Sequence, residues 1–194
     1  MTASAVVSTP AGSLRIRQLA APALLGGYGL IRLVPGSKQP GLGWTTGHLA
    51  LLAALLLFGE IFHQLYRLTR ERGRVAALLG YGTALVGLCC SLGQVVIDLY
   101  ASLATSTRAE QNHLFEQIQS HPGVLPAFYQ VGPLFFYVGL LALLTTLAVR
   151  RRLPWWTPVT VLAATVLMAA SLDLMTVGAA LYALALLPLS RPAR

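Results

Sequence analysis

Charge is what this chain has least of. Only 10% of its 194 residues are Asp, Glu, Lys or Arg, where an ordinary soluble domain carries about 25%. Six residues are acidic and four are histidine, too few for a carboxylate-rich metal cage. A carboxylate-bridged di-iron bundle needs two Glu-x-x-His motifs and two further glutamates, and one such motif occurs, Glu60 with His63. A bis-histidine haem would draw on His48 and His63, yet both fall on one helical stretch and no other apolar segment carries a histidine to complete an axial pair. No metal or cofactor is therefore expected. The two cysteines, Cys89 and Cys90, are adjacent within an apolar run. A bond between them would be strained and closes no loop, so they leave the redox compartment open. A glycine-rich phosphate loop, a nucleophile elbow and a zinc motif are all missing, as are repeats and low-complexity tracts. Nucleophilic catalysis by serine or cysteine has no motif to support it.

What is present is oil. Hydrophobic residues make up 56% of the chain and the mean hydropathy is +0.68. Several apolar stretches approach or exceed the roughly 20 residues that span a hydrocarbon core as helix. The pattern predicts an all-α, polytopic helix bundle in the cytoplasmic membrane with the lipid bilayer as its main partner. Six spans fit, at about Leu19 to Val34, Gly47 to Tyr66, Val75 to Ala101, Leu125 to Val149, Pro154 to Ala170 and Leu174 to Leu189. They form one domain over 19–190, flanked by short tails at 1–18 and 191–194. Arg15 and Arg17 precede the first apolar segment as in a signal peptide, but no small-residue cleavage site follows, so a retained span is expected. The last 37 apolar residues, 154–190, would reach about 55 Å as one helix against a core of about 30 Å. They must fold back, around Ser171 to Asp173.

The net charge of +8 reflects topology rather than a nucleic-acid partner, because the basic residues sit between the apolar segments and form no stripe on a soluble face. Alternate loops hold Arg15 and Arg17, Arg67 to Arg74, Arg150 to Arg152, and Arg191 with Arg194, eleven of the fourteen basic residues; Arg32, Lys38 and Arg108 lie on the other side. Basic residues are retained in the cytoplasm, so both termini are expected inside. Between spans three and four, the loop 102–124 contains "TRAEQNHLFEQIQSHPG". Thr107 and Glu110 have capping-box spacing, Leu114, Phe115 and Ile118 share a face, and Pro122 with Gly123 ends the helix. It reads as a short amphipathic helix on the outer surface, serving as a connector or as a lid.

Ionisable residues within spans are costly and usually face the bundle interior. Glu60 and His63 are one turn apart on span two, read as a buried pair that is either structural or supplies a protonated acid. Gln94 and Asp98 are i, i+4 on span three, at the head of a small and polar stripe through Cys90 or Ser91, Gly87 and Thr83. Antiparallel spans put His48 at the depth of Asp98, with Gln130 alongside, so His48 is the favoured partner of Asp98, and Gln94 or Gln130 the next choice. Asp173 faces the same side from the last turn. The expectation is a polar pocket lined by His48, His63, Gln94 and Gln130. If the protein were an enzyme, Glu60, Asp98 and Asp173 would be its acids.

The segment "GQVVIDLY", the polar helix ending "HPG" and the following "VGPLFFYVGLLALLTTLAVRRRLPWWTPV" together resemble a group of uncharacterised actinobacterial multi-pass membrane proteins. In that group a D-L pair closes the third span and a basic, Trp-containing joint links the fourth and fifth. The likeness extends over about 47–190 and implies fold and topology, with no chemistry. "LLFGEIF" around Glu60 is loosely similar to the second-span acid of integral-membrane terpene cyclases, which would imply acid-catalysed cyclisation of a prenyl substrate. Two functions follow as expectations: a non-enzymatic membrane protein that binds a small hydrophobic molecule, and such a cyclase.

Overall fold

In the computed structural model, residues 11–71 and 73–190 are described, with side chains omitted for 11–17 and 190. The expected cytoplasmic tail before residue 11, Arg72, Arg191 and Arg194 lie outside the described residues. No strand occurs among them. Seven α-helices follow in order: α1 (Ala11–Arg32), α2 (Leu42–Arg70), α3 (Arg74–Ala104), α4 (Arg108–Gln119), α5 (Leu134–Val149), α6 (Trp156–Ala170) and α7 (Met175–Leu186). Three helical stretches, Leu42–Arg70, Arg74–Ala104 and Leu172–Leu189, are long and apolar enough to cross a membrane, and α5 and α6 are shorter apolar helices. Helix is the form that satisfies every backbone N–H and C=O within one segment, which an oily solvent demands.

All helices but α4 close into a ring. Each packs on its neighbour in the order α1, α2, α3, α5, α6, α7, and α7 returns to α1; α2 also reaches α5 across the middle. On α2 the buried apolar side chains are Ala54, Leu55, Phe58, Ile61, Phe62 and Leu65, the i, i+3, i+4 spacing of one helical face. Phe58 and Phe62 meet Phe136 of α5 edge-on, with ring centroids 5.3 and 4.8 Å apart, and Phe58 also meets Tyr182 of α7. The bundle perimeter is as oily as its centre: Leu56, Val75, Leu79, Leu103 and Val149 are all more than half exposed, which suits lipid and would not suit water.

At Gly87 the small stripe on α3 is packing surface. A Cβ on Gly87 would fall on the backbone of Phe135 and Phe136, and one on Gly139 would fall on Ala84. Glycine at both positions lets α3 and α5 touch backbone to backbone, as small residues do in membrane helix pairs.

Two irregular segments shape one end of the bundle. The continuous span expected from Leu125 to Val149 is instead broken. Residues Leu125–Gln130 form a single π-helical turn, and α5 begins only at Leu134. Pro133 has no N–H to continue the ladder, while the amides of Val131 and Gly132 both reach back to the Pro126 carbonyl. The second break is the reversal between α6 and α7. There the Ser171 hydroxyl accepts the Asp173 amide and a 3₁₀ turn covers Leu172–Leu174. Over the same end lies α4, with its capping box formed: Thr107 Oγ1 accepts the Glu110 amide and Glu110 accepts the Thr107 amide.

Candidate functional site

Asp98 is the carboxylate that the bundle buries. It sits on α3, 8% exposed, six residues before the helix end at Ala104, and His48 sits six residues after the start of α2 at Leu42. At 1.5 Å per residue both lie about 9 Å below the same end. His48 Nε2 is 3.6 Å from Asp98 Oδ2, too long for a hydrogen bond but close enough for charge to matter. On the other oxygen, the Tyr129 hydroxyl donates to Oδ1 at 3.2 Å. Tyr129 is delivered by the π-helical turn, a distortion that often occurs at functional sites. The Trp44 indole N–H donates to the Asp98 carbonyl at 2.9 Å and fixes α2 on α3.

The histidine tautomer follows from its other nitrogen. His48 Nδ1 lies 2.8 Å from the Trp44 carbonyl oxygen. A carbonyl only accepts, so Nδ1 carries a hydrogen. Neutral His48 then presents a bare Nε2 lone pair toward Asp98 Oδ2. Lone pair against carboxylate repels, a repulsion that a proton on either atom relieves. The ring is held by stacking on Trp44, centroids 4.4 Å apart, and by edge contact with Tyr28.

Asp98 opens onto a cavity of about 160 Å³. Its walls come from α1, α2, α3, α5, α6 and α7 and are chiefly apolar: Leu25, Leu51, Leu55, Phe58, Phe136, Met168 and Met175. Its polar groups are Asp98, Gln94 and Ser91 on α3 with Tyr28, Tyr137 and Tyr182, and Asp98 is the one carboxylate among the lining residues. The Tyr182 hydroxyl is engaged with Thr165 at 2.7 Å. A mostly apolar cavity with a few convergent polar groups is the form of a small-molecule site. Its volume compares with the roughly 150 Å³ engineered cavity that admits benzene.

The residues singled out from sequence divide. Gln94 and Asp98 line the cavity, and His48 stands behind Asp98 rather than on the wall. Gln130 is exposed; its neighbour Tyr129 takes the expected place beside Asp98. Glu60 and His63 do not form a buried pair. Both are exposed on the outer face of α2, with His63 near the rings of Tyr66 and Tyr81. The reason is angular: at 100° per residue Glu60 is turned about 200° from Phe58, the centre of the buried face. Asp173 lies off the cavity too, bound by Lys38 Nζ at 2.8 and 3.0 Å. Sequence reasoning missed Tyr129 and Lys38; the paired prolines Pro126 and Pro133 were the available sign of a broken helix.

Among the described residues no group of three or more His, Cys, Asp or Glu is placed to hold a metal ion. Compared with protein-family models, curated proteins and solved structures, the chain finds no match.

Proposed function

We propose that the chain crosses the cytoplasmic membrane six times with both termini inside, and that its cavity binds a small, mostly apolar molecule through a polar or cationic group set against Asp98, without catalysis. One observation carries this reading: a single buried carboxylate, bonded by Tyr129 and with His48 3.6 Å away, faces an apolar cavity of about 160 Å³. The alternating helix directions support the topology, since they put Arg67, Arg70, Arg74 and Arg150 to Arg152 at one end and Arg32, Lys38 and Arg108 at the other. Reporter fusions after Arg74 and Arg152 should behave as cytoplasmic, and one at Gln111 as external; an internal signal at Gln111 removes the six-span arrangement.

The binding reading is tested with the purified protein in detergent. Cyclohexylamine should raise the melting temperature more than cyclohexanol does. Asp98→Asn should remove the difference, and Ser91→Leu, which fills the cavity, should remove both effects. Equal responses of wild type and Asp98→Asn would sink it. Acid-catalysed cyclisation is the second reading, favoured by a carboxyl group on the cavity wall. Of its three candidate acids only Asp98 faces the cavity, and the volume falls below the roughly 300–1,000 Å³ of sites for larger ligands. Membranes containing the protein should therefore leave an epoxidised prenyl substrate unchanged.

A further inference from the structure

Away from that cavity, at the same end of the bundle, three cations meet. Arg32 closes α1, Lys38 lies in the loop to α2 and Arg108 opens α4. Every other Lys or Arg among the described residues belongs to a segment at the opposite end. These three are far apart in sequence, yet all of them line one recess of about 380 Å³ with Asp173. The recess shares no residue with the Asp98 cavity.

Their charges are not balanced. Asp173 accepts two hydrogen bonds from Lys38 and lies 3.7 Å from Arg32 Nη2, one negative charge against three positive. Glu110, the nearest acid in sequence to Arg108, is occupied by the amides of Ser106 and Thr107. Arg108 spends one N–H on the Lys38 carbonyl, which anchors its guanidinium at the recess. Arg32 is 19% exposed; its Nη1 donates to the Tyr28 hydroxyl at 3.4 Å, and its Nε has no hydrogen-bond partner. Surface arginines facing water need no such gathering, and a helix end at the lipid boundary is where headgroups lie.

We propose that this recess binds a phosphate-type oxyanion, the phosphate of a lipid headgroup or free phosphate. Two guanidinium forks match the geometry of phosphate oxygens, and the Lys38 ammonium adds a point charge. Asp173 acts as the internal anion that holds Lys38 in place when the recess is empty, and it competes with the ligand when it is filled. The placement at a headgroup level rests on the six-span reading; the charge cluster does not, nor does it depend on ligand binding beside Asp98.

The test follows thermal unfolding of the full chain in a non-ionic detergent at constant ionic strength, titrated with inorganic phosphate against chloride and, separately, with short-chain phosphatidylglycerol. At least one of the two should raise the melting temperature saturably. A response to inorganic phosphate identifies a free anion as sufficient, and a response to the lipid alone identifies the headgroup. Arg108→Gln, which leaves the Lys38–Asp173 pair in place, should weaken apparent affinity about tenfold, the loss expected for a charged hydrogen bond. Asp173→Asn removes the competitor and should tighten it. A purely structural role for the cluster predicts instead that Asp173→Asn lowers stability with no gain in anion response. No response to either probe, equal responses of wild type and Arg108→Gln, or weaker binding by Asp173→Asn would each overturn the proposal.

Discussion

Replacing Asp98 in two ways separates a neutral His48–Asp98 pair from a charged one. In Asp98→Leu the branched shape is kept and the cavity beside it takes up the added bulk, but both neighbours lose their polar partner: the Tyr129 hydroxyl, 3.2 Å from Oδ1, and His48 Nε2, 3.6 Å from Oδ2. Leaving a buried polar group unpaired costs about 1–3 kcal/mol. Tyr129 is half-buried and regains part of its bond from water, so the sum should be about 3 kcal/mol. At roughly 2–4 °C per kcal/mol for a chain of this length, the melting temperature should fall by about 6–12 °C. Asp98→Asn differs. Its carbonyl oxygen accepts from Tyr129 as before, and its N–H can face the bare Nε2 that the Trp44 carbonyl imposes on neutral His48. Every group is then satisfied without charge, and the change should stay within about 1 kcal/mol of wild type. Differential scanning fluorimetry or tryptophan emission in detergent reads both. If Asp98→Asn loses as much stability as Asp98→Leu, the site depends on a charged His48–Asp98 pair, and the neutral reading is refuted.

Gly87→Val drives a side chain into the backbone of Phe135 and Phe136 and should cost about 3 kcal/mol. Gly82→Val, whose Cβ meets nothing within 4 Å, is its control and should melt as wild type does. The amides of Ser106 and Thr107 hold the Glu110 carboxyl below its ordinary value of 4.5. Protection of the α4 amides in hydrogen exchange should therefore be full above that value and fall as pH drops through the lower, folded-state value; in Glu110→Ala it should be weak at every pH. Glu60→Leu and His63→Leu, both on the outer surface of α2, should each leave stability unchanged or raise it, since an ionisable group facing lipid is costly; a loss of several kcal/mol in either would restore the buried pair that their spacing suggests.

Which polar residues meet can be read from sequence only where the helix stays regular between them. The shared depth of His48 and Asp98 was legible because each sits six residues from the same end of an unbroken helix, so the constant rise fixes it whatever the packing; the hydrogen bond expected between them is not made, at 3.6 Å. The side on which α3 approaches α5 was legible too, since Gly87 belongs to the small stripe. Glu60 and His63 fail on a different point. Their mutual spacing was correct, but in a lipid-facing bundle Leu56 on the outside is as apolar as Leu55 on the inside, and hydropathy cannot say which face is which. Aromatic bulk could have: Phe58 and Phe62 mark the face that packs on Phe136. Tyr129 was hidden by a π turn, which rotates everything after Pro126 relative to an α-helical count and puts Tyr129, instead of Gln130, on Asp98. The Lys38–Asp173 contact joins a loop to a turn, 135 residues apart, with no periodicity to project across. The two candidate sites thus differ in origin: the cavity carboxylate is placed by helix regularity, while Tyr129 and the whole oxyanion recess exist because the chain departs from it.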